Sequence, residues 1–158
     1  MVSFLIQKSE NLFKNIPESL ILFLARFAIA AVFWKSGQTK IEGFSLDIIA
    51  MKMQLGWPQI TDSTYFLFEH EYALPLLPTA IAATLATLAE HILPILILAG
   101  LFTRLAALGL AGMTLVIQLL VYPDAYPTHA TWLAIALLLM YRGGGRLSFD
   151  HLFFQKSS

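Results

Sequence analysis

Four apolar blocks run through this chain, from about Glu18 to Lys40, Tyr72 to Leu101, Thr103 to Tyr122 and Thr128 to Tyr141, and together they occupy more than half of it. A helical bilayer crossing takes about 20 mostly apolar residues. A helix that is apolar all round must be covered all round, and a chain of 158 residues has too little polar material to cover four of them in water. Hydrophobic residues make up 58% of the sequence and charged ones 13%, against about 45–50% and about 25% in soluble domains. The solvent this pattern demands is lipid. The expected fold class is therefore all-α: an integral membrane four-helix bundle, one domain over residues 1–158, with membrane lipid as its first partner and self-association left open.

The charges set the expected orientation. Ten Lys and Arg cancel ten Asp and Glu, which leaves no net positive charge of the kind that attracts nucleic acid. The absence of cysteine removes disulfides, thiolate zinc sites and cysteine-held iron–sulfur clusters. Any redox chemistry must come from a cofactor. The first block is too long, and starts too far behind the mixed-charge stretch Met1 to Pro17, to read as a cleaved signal peptide. With four crossings, Lys8, Lys14, Arg104, Arg142, Arg146 and Lys156 fall on one side and only Lys40 and Lys52 on the other. The positive-inside rule then puts both termini in the cytoplasm.

The outer connection from Ile41 to Glu71 is too long to be structureless. In Ser45 to Leu55, Leu46, Ile49 and Met53 fit helical spacing, and Gly56-Trp57-Pro58 is a stop signal, so a short amphipathic helix is predicted in this first outer loop. A second helix start is read at Asp62-Ser63-Thr64.

Ionisable groups inside membrane helices are costly and tend to face a partner in the bundle interior. Arg26, Ala30, Phe33, Gly37 and Lys40 share one face of the first helix, and Thr79, Ala83, Ala86, Thr87 and Glu90 one face of the second. Arg26 and Glu90 are expected to meet. They form either a register-fixing ion pair or, with His91, a proton-handling site. Lys35, on the opposite face from Arg26, is expected to snorkel outward. A second polar cluster is expected at the outer end from Gln38, Lys40, Glu69, His70, Glu71 and His129. Glu69-His70-Glu71 lacks the spacing that puts two metal ligands on one helix face, and no metal site is expected.

The ordered motifs are Arg26-Phe27 to Trp34-Lys35-Ser36-Gly37-Gln38-Thr39-Lys40, then Glu90 followed by Leu98-Ala99-Gly100-Leu101-Phe102-Thr103-Arg104, then Gly143-Gly144-Gly145-Arg146-Leu147-Ser148-Phe149-Asp150. This pattern resembles the DoxX family of small bacterial membrane proteins. The resemblance implies four transmembrane helices in the inner membrane, with Arg26, Gly37, Lys40, Glu90, Ser148 and Asp150 standing at the family's motif positions. It also implies association with membrane oxidoreductase complexes, since the family takes its name from a membrane subunit of a thiosulfate:quinone oxidoreductase. The expected function is a membrane subunit of a quinone-linked redox system, with a quinone as cofactor or substrate and electrons from an oxidoreductase partner. The alternative is a non-catalytic assembly or anchoring subunit that recruits a periplasmic or membrane protein.

Overall fold

The computed structural model describes residues 2–47, 51–75 and 77–154. Helix α1 (Val2–Phe13) precedes α2 (Glu18–Gln38). Four short strands follow: β1 (Ile41–Glu42), β2 (Ser45–Asp47), β3 (Lys52–Gln54) and β4 (Gln59–Ile60). Helix α3 (Asp62–Leu67) runs on into a π-turn (Phe68–Tyr72), and α4 (Thr79–Ala99) comes next. Helix α5 (Thr103–Val116) is extended by a second π-turn (Ile117–Val121), and α6 (Tyr126–Arg142) and α7 (Phe149–Phe154) complete the order.

Helices α2 and α4, and α5 together with its π-turn, are each long and apolar enough to cross a membrane. Helix α6, at 17 residues, is shorter. Helix α2 packs against α4 and α6, and α5 packs against the same two. Leu22, Ile29, Ala30 and Phe33 of α2 meet Ile97, Ala107, Leu110, Ala136 and Leu139 in the buried centre. Small residues at Ala107, Ala111 and Ala136 let the backbones approach, as membrane helix contacts require. The outward faces are equally apolar. Leu24 and Phe27 on α2, Leu85, Leu88, Ile92 and Ile95 on α4, and Leu105 and Leu108 on α5 are all about half exposed or more, a surface that water would penalise and hydrocarbon would not.

The elements depart from the sequence expectation in two places. The second apolar block does not begin a helix at Tyr72: Ala73 takes a left-handed conformation, and Pro75 and Pro78 disfavour helical backbone in the residues before them. Helix α4 starts at Thr79 with Pro78 as its N-cap. The amphipathic helix expected over Ser45 to Leu55 is replaced by antiparallel strands, β2 on β3 and β1 on β4, with residues 48–50 lying outside the described ones. The physical reason is closure. The Lys40 carbonyl accepts the Thr61 N–H at 3.1 Å, so both ends of this loop meet at one point and the chain between must run out and back. Leu46 and Met53, read as neighbours on a helix face, are instead opposite each other across a ladder. The second helix start is where the sequence put it, with Thr61 capping Thr64 N.

Candidate functional site

The predicted faces of α2 and α4 are the buried ones. Arg26, Ala30, Phe33, Gly37 and Lys40 are all buried, as are Ala83, Thr87 and Glu90, while Lys35 is exposed. The partners, however, are redistributed. The expected Arg26–Glu90 pair does not form; Glu90 and Arg26 belong to two sites at opposite ends of the helices.

At the end of α2 that leads into β1, Lys40 Nζ lies 2.7 Å from Glu90 Oε2, with both side chains less than a tenth exposed. Lys40 follows the last turn of α2, so its side chain folds back toward Ser36, donating to Ser36 Oγ at 3.0 Å. Ser36 Oγ in turn donates to Glu90 Oε1 at 3.2 Å. One cation, one hydroxyl and one carboxylate thus close a ring in a site sealed from above by Thr64, whose hydroxyl donates to the Lys40 carbonyl. Burial makes the pairing obligatory, because either charge alone in such surroundings is strongly unfavourable.

His91, the next residue on α4, is bonded on both ring nitrogens. Gln38 Oε1 accepts the Leu46 N–H at 2.7 Å, which turns the Gln38 amide nitrogen toward His91 Nε2 at 3.0 Å. That nitrogen is a donor, so Nε2 accepts, and Nδ1–H donates to the Thr87 carbonyl at 2.7 Å. The tautomer follows from the network. The Trp34 and His91 rings meet in a T-shaped contact, with centroids 5.3 Å apart. Gly37 allows this proximity: a β-carbon there would stand 2.9 Å from His91 Cε1 and 3.1 Å from Glu90 Cβ. The Thr87 hydroxyl is buried without a hydrogen-bond partner.

The outer cluster expected from the sequence therefore divides. Gln38 and Lys40 join Glu90 and His91. Glu69 is exposed, and His70 stacks on Phe66 while donating to its carbonyl. Glu71 accepts the Tyr122 hydroxyl. That bond to a carboxylate, with burial second, holds the Tyr122 phenol above its ordinary range. Burial likewise raises Tyr72, its ring neighbour. His129 is buried on α6 and donates from Nδ1 to Gln118 Oε1 at 2.7 Å. Sequence reasoning put Thr87 on the inward face with Glu90 without making it a site residue, and it gave Ser36 and Trp34 no role. Ser36 is four residues before Lys40 and Thr87 four before His91, so helical spacing alone places each beside its partner.

At the opposite end, Arg26 holds backbone. Its guanidinium donates to the Leu98 carbonyl at 3.1 Å and to the Leu147 carbonyl. The Leu98 carbonyl lies in the last turn of α4, where carbonyls lack intrahelical partners and the helix dipole favours a cation. Phe102 N, the natural partner of that carbonyl, turns instead to Asp150 Oδ1 at 2.7 Å, and Thr103 N goes to Asp150 Oδ2 at 2.8 Å. Asp150 thereby caps the start of α5 with a charge of the right sign. Gly100, between them, has φ +70°, and a β-carbon there would overlap both the Arg26 guanidinium and the Ser148 side chain. Arg26, Gly100, Ser148 and Asp150 form a single latch that ties the tail to the α4–α5 turn.

Among the described residues no group of three His, Cys, Asp or Glu is placed to hold a metal ion. No curated protein and no solved structure matches the chain. The DoxX family model matches residues 21–123, a stretch that contains Arg26, the Lys40–Glu90 ring, His91 and Gly100. The tail that Arg26 grips lies beyond it. With most of its length matched and its apolar helices arranged around these motif residues, the chain belongs to the DoxX family, and is a membrane protein.

Proposed function

We propose that this protein is an inner-membrane subunit of a quinone-linked redox system, built as a four-helix transmembrane bundle with both ends in the cytoplasm. The observation that carries the reading is the buried ring of Lys40, Ser36 and Glu90 beside the His91–Gln38 pair. Helix α6 supports the fourth crossing: with the 3-10 turn Pro123–Ala125 before it, the helical run reaches about 32 Å at 2.0 and 1.5 Å per residue. Arg104, Arg142 and Arg146 gather at the end that holds the latch, which by the positive-inside rule is cytoplasmic. The opposite end has Lys40, neutralised by Glu90, and Lys52.

A quinone takes up two electrons and two protons on reduction, so it needs a protonatable group next to an apolar seam. The residues fit that requirement: the Thr87 hydroxyl is an unused hydrogen-bonding group, and His91 and Trp34 are only partly buried at the α2–α4 contact. In this reading the Thr87 hydroxyl binds the ligand beside the His91 and Trp34 rings, Glu90 takes up and releases a proton that Ser36 Oγ passes to and from Oε1, and Lys40 balances the carboxylate when it is ionised. Electrons arrive from a partner oxidoreductase. The test is binding of a quinone analogue to detergent-purified protein, followed by Glu90→Gln. Because Glu90→Gln alone would leave the Lys40 ammonium unpaired, it is made together with Lys40→Met; the double variant should keep its fold and lose quinone-dependent turnover, and undetectable analogue binding to the parent protein defeats the proposal.

A second reading draws on a different feature. Met51, Met53, Leu55 and Trp57, on and beside β3, are between 65% and 92% exposed, which favours an assembly role in which this loop recruits a partner protein. A partner retained from native membranes in mild detergent, and still retained by Glu90→Gln, supports that version.

A further inference from the structure

The latch end carries a groove that neither the ring nor the quinone reading uses. It has a volume of about 420 Å³ and lies between the α4–α5 turn and the glycine-rich tail. We propose that this groove holds the phosphate headgroup of an anionic membrane phospholipid. The inference rests on the membrane placement of the chain and is independent of quinone chemistry.

Three arginines line the groove, Arg104, Arg142 and Arg146. Among the described residues Arg146 makes no hydrogen bond or ion pair. Arg142 meets Glu18 at 3.3 Å, but both groups are more than half exposed, and such a pair is worth little and exchanges readily. Among the described residues Arg104 reaches only the Tyr141 carbonyl, at 3.4 Å. The positive charge is therefore available. The one carboxylate among the lining residues, Asp150, is already committed through both oxygens to Phe102 N and Thr103 N. The floor adds a donor: Thr103 is fully buried and its hydroxyl has no partner. Guanidinium groups match phosphate oxygens in a fixed fork geometry.

The rim decides between a lipid and a free phosphate. Phe102, Leu105 and Phe154 line the same groove and are each 51–68% exposed. A soluble anion gains nothing from them, whereas acyl chains below a headgroup would cover them. Basic pockets at the cytoplasmic ends of membrane helices bind lipid headgroups by this combination.

The experiment measures retention of phosphatidylglycerol and phosphatidylcholine on the full chain by native mass spectrometry, with inorganic phosphate as competitor. Phosphatidylglycerol should be retained and phosphatidylcholine not. Arg104→Gln should weaken retention about fivefold, Arg146→Gln likewise, and the pair about twenty-five-fold, with melting temperatures in phosphatidylcholine micelles unchanged. Equal retention of the two lipids, or no loss in the double variant, overturns the proposal. Displacement by millimolar inorganic phosphate as effective as that by phosphatidylglycerol also overturns it, in favour of a soluble anion.

Discussion

Removing one member of the Lys40–Ser36–Glu90 ring should cost far more than removing two. Lys40 Nζ and Glu90 Oε2 are 2.7 Å apart, which at an effective dielectric of about 20 is an attraction of about 6 kcal/mol. Against this stands the desolvation of two ions, several kcal/mol each. The intact pair is therefore close to neutral relative to two apolar side chains of similar size. Lys40→Met leaves a carboxylate held by one serine hydroxyl, and Glu90→Met leaves an ammonium held by Ser36 alone. Each single change should destabilise by about 3–5 kcal/mol, and the double change by far less than their sum. The assay is denaturant unfolding in mixed micelles followed by tryptophan fluorescence. Arg26→Met combined with Glu90→Met is the control and should be additive within about 0.5 kcal/mol, since Arg26 holds carbonyls at the other end. Additivity for Lys40 with Glu90, together with coupling for Arg26 with Glu90, would refute the assignment of partners.

Three further outcomes follow from the geometry. Gly100→Ala combines a left-handed backbone with overlap at Arg26 and Ser148, so it should destabilise by more than the about 1–2 kcal/mol of the backbone term alone, read as a lowered melting temperature. Asp150→Ala removes both caps from the start of α5 and should cost about 2 kcal/mol, the upper end for a helix cap; Asp150→Asn should recover part of that, and no difference between the two would argue against the carboxylate's role. Tyr122, held above 10.0 by donating to Glu71, contributes stability that is full below pH 10 and is lost as pH rises through its folded value. An ultraviolet titration should show part of the delayed phenolate absorbance disappear in Tyr122→Phe, with the Tyr72 part remaining.

The membrane helices were legible because lipid imposes a simple code: a continuous apolar stretch with small and polar residues on one face. Arg26, Ala30, Phe33, Gly37 and Lys40 share such a face by 3.6-residue periodicity, and all five are buried. Periodicity specifies which residues face inward; it carries no information on how far one helix slides along another. Pairing Arg26 with Glu90 asked an extended arginine to bridge a difference in depth that the loops decide. The Lys40–Thr61 closure and the α3 segment against the first turns of α4 set α4 so that Glu90 is level with the end of α2, where Lys40 waits. The strands between Lys40 and Thr61 were illegible for a related reason, since Leu46, Ile49 and Met53 satisfy a helix locally while the closure of that loop is a long-range constraint.

The six motif residues read from the sequence divide by what they touch, and the division bears on function. Arg26, Ser148 and Asp150 bond to backbone: Arg26 to two carbonyls, Ser148 to the Gly145 carbonyl and His151 N–H, Asp150 to two N–H groups. Groups committed in this way hold a turn in place, with Arg26 Nε the one buried donor among them left without a partner. Gly37, Lys40 and Glu90 instead surround side chains, an ammonium, a hydroxyl, a carboxylate and an imidazole, whose protons can be redistributed without unfolding a helix. A structural role needs only one satisfied pair at that depth, whereas the outer site also assembles Ser36, Gln38, His91 and an unpartnered Thr87 hydroxyl. Thr87→Val therefore separates the two roles. It removes only the hydroxyl and leaves the Thr87 carbonyl to His91, so stability should change by less than about 1 kcal/mol because no bond is lost, while quinone-analogue affinity should fall by about tenfold if that hydroxyl binds the ligand. Unchanged affinity with unchanged stability would remove Thr87 from the site and leave the ring as architecture.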